Sequence, residues 1–374
     1  MTFKRYIIFI YLIFFSFTAA NNKLAIDGSG RYLSSIFNNK EILVWDIKNS
    51  ALLFNSRLEC DTISDLAIYH YYNDTTILST VASCSNGLLF FLNKEGKIIN
   101  KKHYPEYGSE ITTNNTMAFS NNGEILYTIG KDSIGFVVDP YNGQLKNIIE
   151  GSNYSMPKET IVSPNNRYLI TSYLNGSLKF WTIDSQWENL NSNFLMNLSK
   201  ARITGLSLAS NKHLLVSDNK KYIYLVDYVK KKILKKKKII TNGYANQIVF
   251  NREGTGFFTG HKNGKISYWR IAGTDIHFHD KSKKKHNGLI QSMLLYPKKE
   301  TNLIITAGTD NFIHFIDFNE YEIECSFYIN SNGWISFNDK SHYKGTLKLS
   351  EVPIILKEGK KMNNPFKHTF NHLR

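Results

Sequence analysis

Cysteine and proline are both scarce in this chain of 374 residues. The three cysteines, Cys60, Cys84 and Cys325, are too few to build a scaffold held together by disulfides. At most one bridge can form, and the sequence does not determine whether one does. Buried thiols, or one bridge between distant parts of the fold, are the alternatives. With only 7 prolines, the chain is punctuated by Asn, Asp and Gly clusters between short apolar runs, a pattern typical of all-β proteins.

Motifs of catalysis and cofactor binding are also missing. The chain has no Gly-rich phosphate loop, no paired carboxylates in a fixed motif and no Gly-x-Ser-x-Gly segment. No His/Asn signature near a cysteine marks a nucleophile. We therefore predict a protein that is not an enzyme and that binds no cofactor.

One histidine cluster suggests a metal site only weakly. His277 and His279 would share a face of a strand, with Asp280 next to them and His286 farther on. Zinc needs a third protein ligand at short range, and no spacing in this segment supplies one. We predict no metal site and interpret the cluster as the solvated edge of an outer strand.

The first twenty residues have the pattern of an export signal. Lys4 and Arg5 precede an apolar run over residues 6–17, and the small residues Ala19 and Ala20 close it. The run is shorter than the roughly 20 residues that a membrane-spanning helix needs. We predict cleavage after Ala20 and export to the periplasm or the exterior, with a retained membrane anchor as the alternative.

The remaining chain is built from an internal repeat. An apolar strand with an aromatic or aliphatic anchor occurs seven times, every 43 to 47 residues, with the anchors Trp45, Phe91, Val138, Trp181, Val226, Trp269 and Ile316. Before each anchor come a strand, a turn, a second strand and a tight polar turn. Turn residues such as Asn166, Gly176 and Gly264 tolerate the positive φ that hairpins require. With the outer strand that follows each anchor, the repeat predicts four strands.

These repeats resemble WD repeats. The Trp-Asp pair is complete only at Trp45-Asp46, Trp181 and Trp269 keep its aromatic half, and the Gly-His pair that often opens such repeats is absent. The resemblance implies an all-β, seven-bladed WD40-like β-propeller over residues 21–330, with four antiparallel strands per blade. Because the first repeat begins near Leu24, no spare N-terminal strand remains to close the ring. Closure is expected from the C-terminal segment or from side-chain packing alone.

Residues 331–374 form a C-terminal extension that packs on the propeller or trails from it. The segment NGWISFNDKSHYKGT, residues 332–346, resembles one that follows WD repeats in some bacterial proteins, where a caspase-like peptidase domain commonly comes next. Only about thirty residues follow it here, so no peptidase residues carry over. Trp334 and Phe337 are expected to pack against the bottom of the last blade, as lone aromatics usually do.

Positive charge is the strongest chemical signal in the sequence. The net charge is +15 and the isoelectric point is about 9.4, which favours anionic partners. The lysines concentrate in two runs on the predicted outer strands of blades five and six, which we call the basic sector. It consists of Lys230, Lys231, Lys232, Lys235, Lys236, Lys237, Lys238, Lys283, Lys284 and Lys285.

The basic sector has two interpretations. Lysines on an outer strand prevent edge-to-edge aggregation, and a dense run also binds an acidic partner. We predict a monomeric, exported scaffold that binds protein partners, acidic ones at the basic sector. Export makes nucleic acid an unexpected ligand, and membrane contact is expected only for an uncleaved N-terminus. The alternatives are an exported enzyme or cofactor binder using the central channel, and an accessory factor for the assembly of envelope or respiratory proteins.

Overall fold

The computed structural model describes residues 23–70, 78–104, 114–130, 134–149, 155–186, 188–209, 212–239, 243–298, 301–338, 342–348, 352 and 360–361. The predicted export signal, residues 1–20, lies outside these ranges. No helix within them is long and apolar enough to cross a membrane. The described chain is all β.

Seven antiparallel sheets of at least four strands follow one another along the chain, and each forms one blade. Blades one to three contain β1 (Leu24–Ile26), β2 (Tyr32–Phe37), β3 (Glu41–Asp46), β4 (Ala51–Arg57), β5 (Ile63–His70), β6 (Leu78–Cys84), β7 (Leu89–Leu92), β8 (Ile98–Lys102), β9 (Asn114–Phe119), β10 (Leu126–Gly130), β11 (Gly135–Val138) and β12 (Leu145–Ile149). Blades four to six contain β13 (Pro157–Val162), β14 (Tyr168–Tyr173), β15 (Ser177–Ile183), β16 (Leu190–Asn197), β17 (Ile203–Leu208), β18 (His213–Asp218), β19 (Tyr222–Asp227), β20 (Lys232–Lys238), β21 (Ala245–Phe250), β22 (Gly256–His261), β23 (Lys265–Ala272) and β24 (Asp275–Lys284). Blade seven contains β25 (Ile290–Leu295), β26 (Leu303–Gly308), β27 (Phe312–Asp317), β28 (Glu322–Asn330), β29 (Gly333–Asn338), β30 (His342–Gly345) and β31 (Lys360–Lys361).

The blades form a closed seven-bladed β-propeller, as the repeat predicts. The first strand of each blade contacts the first strand of the next, and β25 of the last blade contacts β1 of the first. These first strands therefore surround a central channel, and the fourth strands lie at the rim. The predicted hairpin residues have positive φ, which is 54° at Asn166, 88° at Gly176 and 78° at Gly264.

The hydrophobic core is divided among the interfaces between neighbouring blades. Middle strands are buried on both faces, and seven apolar clusters join consecutive blades around the ring. The fully buried anchor Trp45 illustrates the pattern, because its ring contacts Phe327 of the last blade at a centroid distance of 4.6 Å. Each anchor thus fills the space between two sheets, where burial of an aromatic side chain contributes most.

Closure of the ring uses packing and single hydrogen bonds. All four strands of blade one come from the N-terminal repeat, so no strand is exchanged between the ends of the chain. The backbone N–H of Leu24 donates to Oγ of Ser292 at 3.2 Å, and the Tyr296 hydroxyl donates to the carbonyl of Gly30 at 2.9 Å. These bonds lie in the apolar cluster shared by blades one and seven.

The C-terminal segment widens the last blade. Strand β29 pairs with β28, β30 pairs with β29, and β31 joins in parallel. Trp334 and Phe337 therefore lie on a strand added at the outer edge of blade seven. The Trp334 ring contacts Trp45 edge-on at 5.0 Å, and Phe337 belongs to a small cluster with Phe312.

The cysteines form one local bridge. Cys60, which follows β4, is bonded to Cys84 at the end of β6, at a sequence separation of 24. The bridge therefore links neighbouring segments of blades one and two, not distant blades. Cys325 is a buried free thiol in β28.

Candidate functional site

The structure places both lysine runs of the basic sector on the rim. Strand β20 is the outermost strand of blade five, and Lys230 and Lys231 occupy the turn before it. Strand β24 is the outermost strand of blade six, and it carries Lys283 and Lys284, with Lys285 following directly. The two strands contact each other. The two lysine runs therefore lie on the outer strands of neighbouring blades.

An ion pair joins β20 to the start of β24, at the opposite end of that strand from Lys283 and Lys284. Nζ of Lys235 on β20 is paired with a carboxylate oxygen of Asp275, the first residue of β24. The hydrogen bond from Lys235 is the main cause that lowers the pKa of the Asp275 carboxyl. Both groups are well exposed, so we assign this pair little stabilising energy.

Several lysines of the basic sector contact acidic or aromatic side chains of the protein itself. Lys283 and Lys285 lie 2.9 Å and 3.8 Å from the carboxylate of Glu322 in blade seven. The ammonium of Lys236 lies 4.2 Å from the ring centre of Tyr222, an attractive cation–π geometry. These contacts hold the outer strands against their neighbours, which agrees with a role in edge protection.

Four lysines keep their charge available. Among the described residues, none of the following has an acidic partner within 4 Å: Lys230, Lys232, Lys237 and Lys284. Three of them are exposed, and Lys237 is partly exposed. These four side chains are the part of the basic sector that remains free to attract an anion.

Exposed apolar side chains border these lysines. Lys231 lies 5.4 Å from the ring centre of Phe194, which is 37% exposed on the outer strand of blade four. Leu195 beside it is 47% exposed, and Val229 and Ile233 flank the lysines of blade five at 37% each. Apolar groups rimmed by charge are characteristic of surfaces that bind another protein.

The weak metal candidates lie on the outer strand β24. His277 pairs with Arg270 and His279 pairs with Tyr268 in the register of β23 and β24. The His279 ring contacts that of Tyr268 at a tilt of 59°, with ring centres 5.6 Å apart. Within the described ranges, neither histidine belongs to a group of three possible metal ligands.

A different group of possible ligands lies inside blade seven. Potential donor atoms of His286, Asp310 and His314 all lie within 4.8 Å of one another. Nδ1 of His286 is 2.9 Å from Asp310, and its Nε2 is 2.9 Å from the hydroxyl of Thr306. Nδ1 of His314 is 2.7 Å from the hydroxyl of Ser326, and the ring also bonds to the backbone of Lys285. Every ring nitrogen thus has a protein partner, so the group is satisfied as a buried hydrogen-bond network.

This network holds the buried ring of His314 in its neutral form. Burial, and then the neighbouring His286, lower the pKa of His314 to about 3. The hydrogen bond from His286 keeps the pKa of the Asp310 carboxyl below its usual range although burial opposes this. This network could not be predicted from the sequence, because Lys285 and not glycine precedes His286, so the Gly-His pair of WD repeats is absent there.

A second charged site lies in the central channel, and sequence reasoning missed it. Five blades carry a β-bulge at the same place in their first strand, with one extra residue at Ser64, Lys158, Thr204, Asn246 and Gln291. In several of these blades, the side chain of the residue after the bulge reaches the next blade. Oδ2 of Asp65 accepts the N–H of Met117 at 2.7 Å, and Oε2 of Glu159 accepts the N–H of Leu206 at 3.1 Å. Side chains at this level therefore link the first strands around the channel.

Charged groups at this level act on one another. Nζ of Lys23 lies 2.5 Å from Oδ1 of Asp65. Burial raises the pKa of the Glu159 carboxyl, and the ammonium groups of Lys23 and Lys158 oppose that shift. Burial also lowers the pKa of Lys158, and Lys23 and Arg202 lower it further. These residues are related to one another only by the repeated bulge. A bulge cannot be recognised from a single sequence, so they could not be predicted.

Solved structures of low sequence identity share this fold. A chain in the "Crystal Structure of Mitotic Checkpoint Complex" is 11% identical, with a TM-score of 0.62 over 77% of this chain and 84% of that chain. The computationally designed Ika8 protein is 15% identical, with a TM-score of 0.60 over 88% of this chain and 97% of that one. No protein-family model matches the sequence, and no curated protein is similar to it. The likeness concerns the fold alone, and it fits a WD40-like propeller of seven blades.

Proposed function

We propose that this protein is an exported, non-enzymatic scaffold that binds an acidic protein partner at the basic sector. The observation that carries the proposal is the set of four unpaired lysines, Lys230, Lys232, Lys237 and Lys284, beside exposed apolar side chains on the rim. Edge protection alone explains lysines that pair within the fold. It does not require unpaired lysines on the outer strands of two neighbouring blades, with exposed apolar side chains beside those of blade five.

The propeller offers a suitable platform for such binding. Its outer strands are hydrogen-bonded to sheets that are packed on both faces, so the backbone that carries the rim side chains is already ordered before a partner binds. The checkpoint-complex chain shows the same architecture inside an assembly of proteins. This analogy supports binding of a partner but does not identify it.

The disulfide supports the export part of the proposal. A bridge such as Cys60–Cys84 persists in an oxidising compartment and is rare in the cytosol. Together with the pattern of residues 1–20, it favours the periplasm or the exterior as the place of action.

A pair of matched variants tests the proposal. In the first, Lys230, Lys232, Lys237 and Lys284 are replaced by Ser. In the second, four lysines of blade two, Lys94, Lys97, Lys101 and Lys102, are replaced by Ser. Both variants lose four positive charges, and the control also loses the contacts of Lys94 with Glu95 and of Lys101 with the Phe90 ring.

Each chain, beginning at residue 21, is used for affinity capture from the exporting host at about 0.05 M and 0.3 M salt, followed by mass spectrometry. We expect the wild type and the blade-two variant to retain the same acidic protein at low salt. We expect the basic-sector variant to retain at least tenfold less, and high salt to release the partner from all three. Equal retention by both variants would refute the basic sector as the binding surface.

A further inference from the structure

A pocket with a volume of about 430 Å³ lies between blades six and seven. Four rings line it, and we call it the aromatic pocket: Tyr268 on β23, His279 on β24, and Phe318 and Tyr321 in the turn between β27 and β28. Its volume is typical of sites that bind small molecules, which are lined by aromatic side chains and a few polar ones. None of the ten lysines of the basic sector, all of which the structure describes, lines it.

The buried core holds the rings of the aromatic pocket in place. Phe258 of blade six is 1% exposed and contacts three of them. Its ring centre lies 4.9 Å from that of Tyr268, 5.3 Å from that of Phe318 and 6.4 Å from that of Tyr321. The planes of Tyr268 and Tyr321 are inclined at 67°, so these two rings form adjoining walls of the pocket. Walls that are ordered in the free protein lose little entropy when a ligand binds.

Tyr321 occupies a position that suits glycine better. Its φ is 58°, and φ is also positive at the equivalent position of other turns, five residues after the anchor, at Ser50, Gly143 and Lys231. The turn therefore needs a left-handed residue, which glycine supplies without the steric penalty that a tyrosine carries. The ring contacts made by Tyr321, with Phe258 and within the pocket, offset this penalty. Strained residues of this kind are concentrated at ligand sites.

Three polar side chains of the aromatic pocket are available to a ligand. Glu253 lies in the turn between β21 and β22, Arg270 lies on β23, and Asn302 directly precedes β26. All three are exposed, and in the part of the chain that the structure describes no ion pair or hydrogen bond engages their side chains. They provide a carboxylate that accepts hydrogen bonds, a guanidinium that donates them and an amide that does both.

This combination of groups favours an uncharged ligand that carries hydroxyl groups. An anion would meet the like charge of Glu253, and a cation would meet that of Arg270. A hydroxyl group both donates and accepts, so neighbouring hydroxyls can bond to a carboxylate, a guanidinium and an amide together. The C–H bonds of a sugar ring are weakly positive and pack against the negative face of an aromatic ring. A pyranose ring has both kinds of surface.

We propose that the aromatic pocket binds one pyranose ring of a carbohydrate. The rings of Tyr268 and Phe318 pack against its C–H bonds. The side chains of Glu253, Arg270 and Asn302 form hydrogen bonds with its hydroxyl groups. The pyranose is either a free sugar or one unit of a polysaccharide, and both share the same chemistry. The pocket is separate from the basic sector, so this proposal does not depend on binding of an acidic protein.

Two kinds of probe distinguish these sources, and saturation-transfer NMR measures their binding to the chain beginning at residue 21. The monosaccharide probes are the methyl glycosides of glucose, galactose, mannose and N-acetylglucosamine, and the oligosaccharide probes are maltohexaose and chitohexaose. A saturable signal from a methyl glycoside indicates that a free sugar is a sufficient ligand. A signal from a hexasaccharide alone indicates a unit of a polysaccharide. Because these probes are uncharged, binding should be equal at about 0.05 M and 0.3 M salt.

Variants connect the signal to the aromatic pocket. Phe318→Leu removes an aromatic face but keeps an apolar side chain, and Arg270→Ala removes a hydrogen-bond donor. Each is expected to weaken binding at least about tenfold. The matched controls are Phe278→Leu, an exposed ring on the opposite face of β24 from His279, and Arg202→Ala, an exposed arginine of blade five. Both controls should bind as the wild type does.

Thermal unfolding of each variant shows that the fold is intact. Arg270 is exposed, so its replacement tests the pocket without disturbing the core. The proposal is overturned if no probe gives a saturable signal with the wild type, or if Phe318→Leu and Arg270→Ala bind as strongly as the two controls.

Discussion

Two buried histidines make the stability of this protein depend on pH. Burial lowers the pKa of His314 to about 3 and that of His261 to about 4. An unfolded histidine titrates near pH 6.5, so below that pH the unfolded chain binds protons that the folded protein does not. The stabilising contribution is complete above about pH 6.5 and is lost as the pH falls toward the folded pKa values.

This difference predicts the size of the effect. Each of the two histidines should lower the free energy of unfolding by about 2 kcal/mol between pH 7.5 and pH 5. In His314→Gln the decrease between these two pH values should be smaller than in the wild type by about 2 kcal/mol, because the contribution of His314 is gone. Urea unfolding at both pH values measures it. His103→Gln, which changes an exposed histidine, should show the full decrease, and an unchanged decrease in His314→Gln would contradict the account.

Single residues were the least predictable part of the site from sequence. Lysine runs are visible in any sequence, so the basic sector could be named residue by residue. The acidic partners of those lysines could not be named in the same way, because a partner such as Glu322 is 39 residues from Lys283 in the chain. His314 has no sequence signature because its partners lie on other segments of blade seven, and Glu159 has none because its contact depends on how first strands meet around the channel.

The tight turns between second and third strands depend on glycine at the scale of one element. Gly264, between β22 and β23, has φ of 78°, and a Cβ there would lie 1.9 Å from the carbonyl oxygen of His286. Gly273, between β23 and β24 of the same blade, has φ of 61°, but nothing lies within 4 Å of its Cβ position. Alanine substitutions at these two glycines therefore separate the free-energy cost of the left-handed backbone from that of a steric clash.

Gly273→Ala should destabilise the protein by about 1–2 kcal/mol, because only the backbone conformation is penalised. Gly264→Ala should cost at least about 2 kcal/mol more, because the backbone of residue 286 must also move. The urea midpoints of the two variants give the comparison. Equal losses would mean that the turn after β22 has room for a side chain.

Elements were predicted better than residues, for a physical reason. The spacing of the apolar anchors corresponds to the number of residues in one blade. Asn and Gly in the turns mark where the chain adopts positive φ. The number of strands and blades can therefore be predicted from local sequence. The three strands β29, β30 and β31 could not be predicted, because they have no anchor and pair only with an edge that blade seven provides. The Cys60–Cys84 bridge could not be predicted either, because it depends on how two separate strands lie next to each other.

At the scale of the whole molecule, the propeller separates two charged regions. Four unpaired lysines lie on the rim of blades five and six, and charged side chains of both signs, among them the Lys23–Asp65 pair, lie on the first strands around the channel. The middle strands between them are buried and apolar. Each region can therefore be changed without repacking the core, so that binding and stability can be measured separately.

Hydrogen exchange of the captured complex tests the central claim most directly. The amides of an outer strand are partly exposed, so a partner that docks on the rim should slow their exchange. We predict protection in β20, β24 and the turn that holds Lys230 and Lys231, with no change in β8 of blade two. A complex in which β20 and β24 exchange as fast as in the free protein would show that the partner binds elsewhere and that the basic sector only protects the edge.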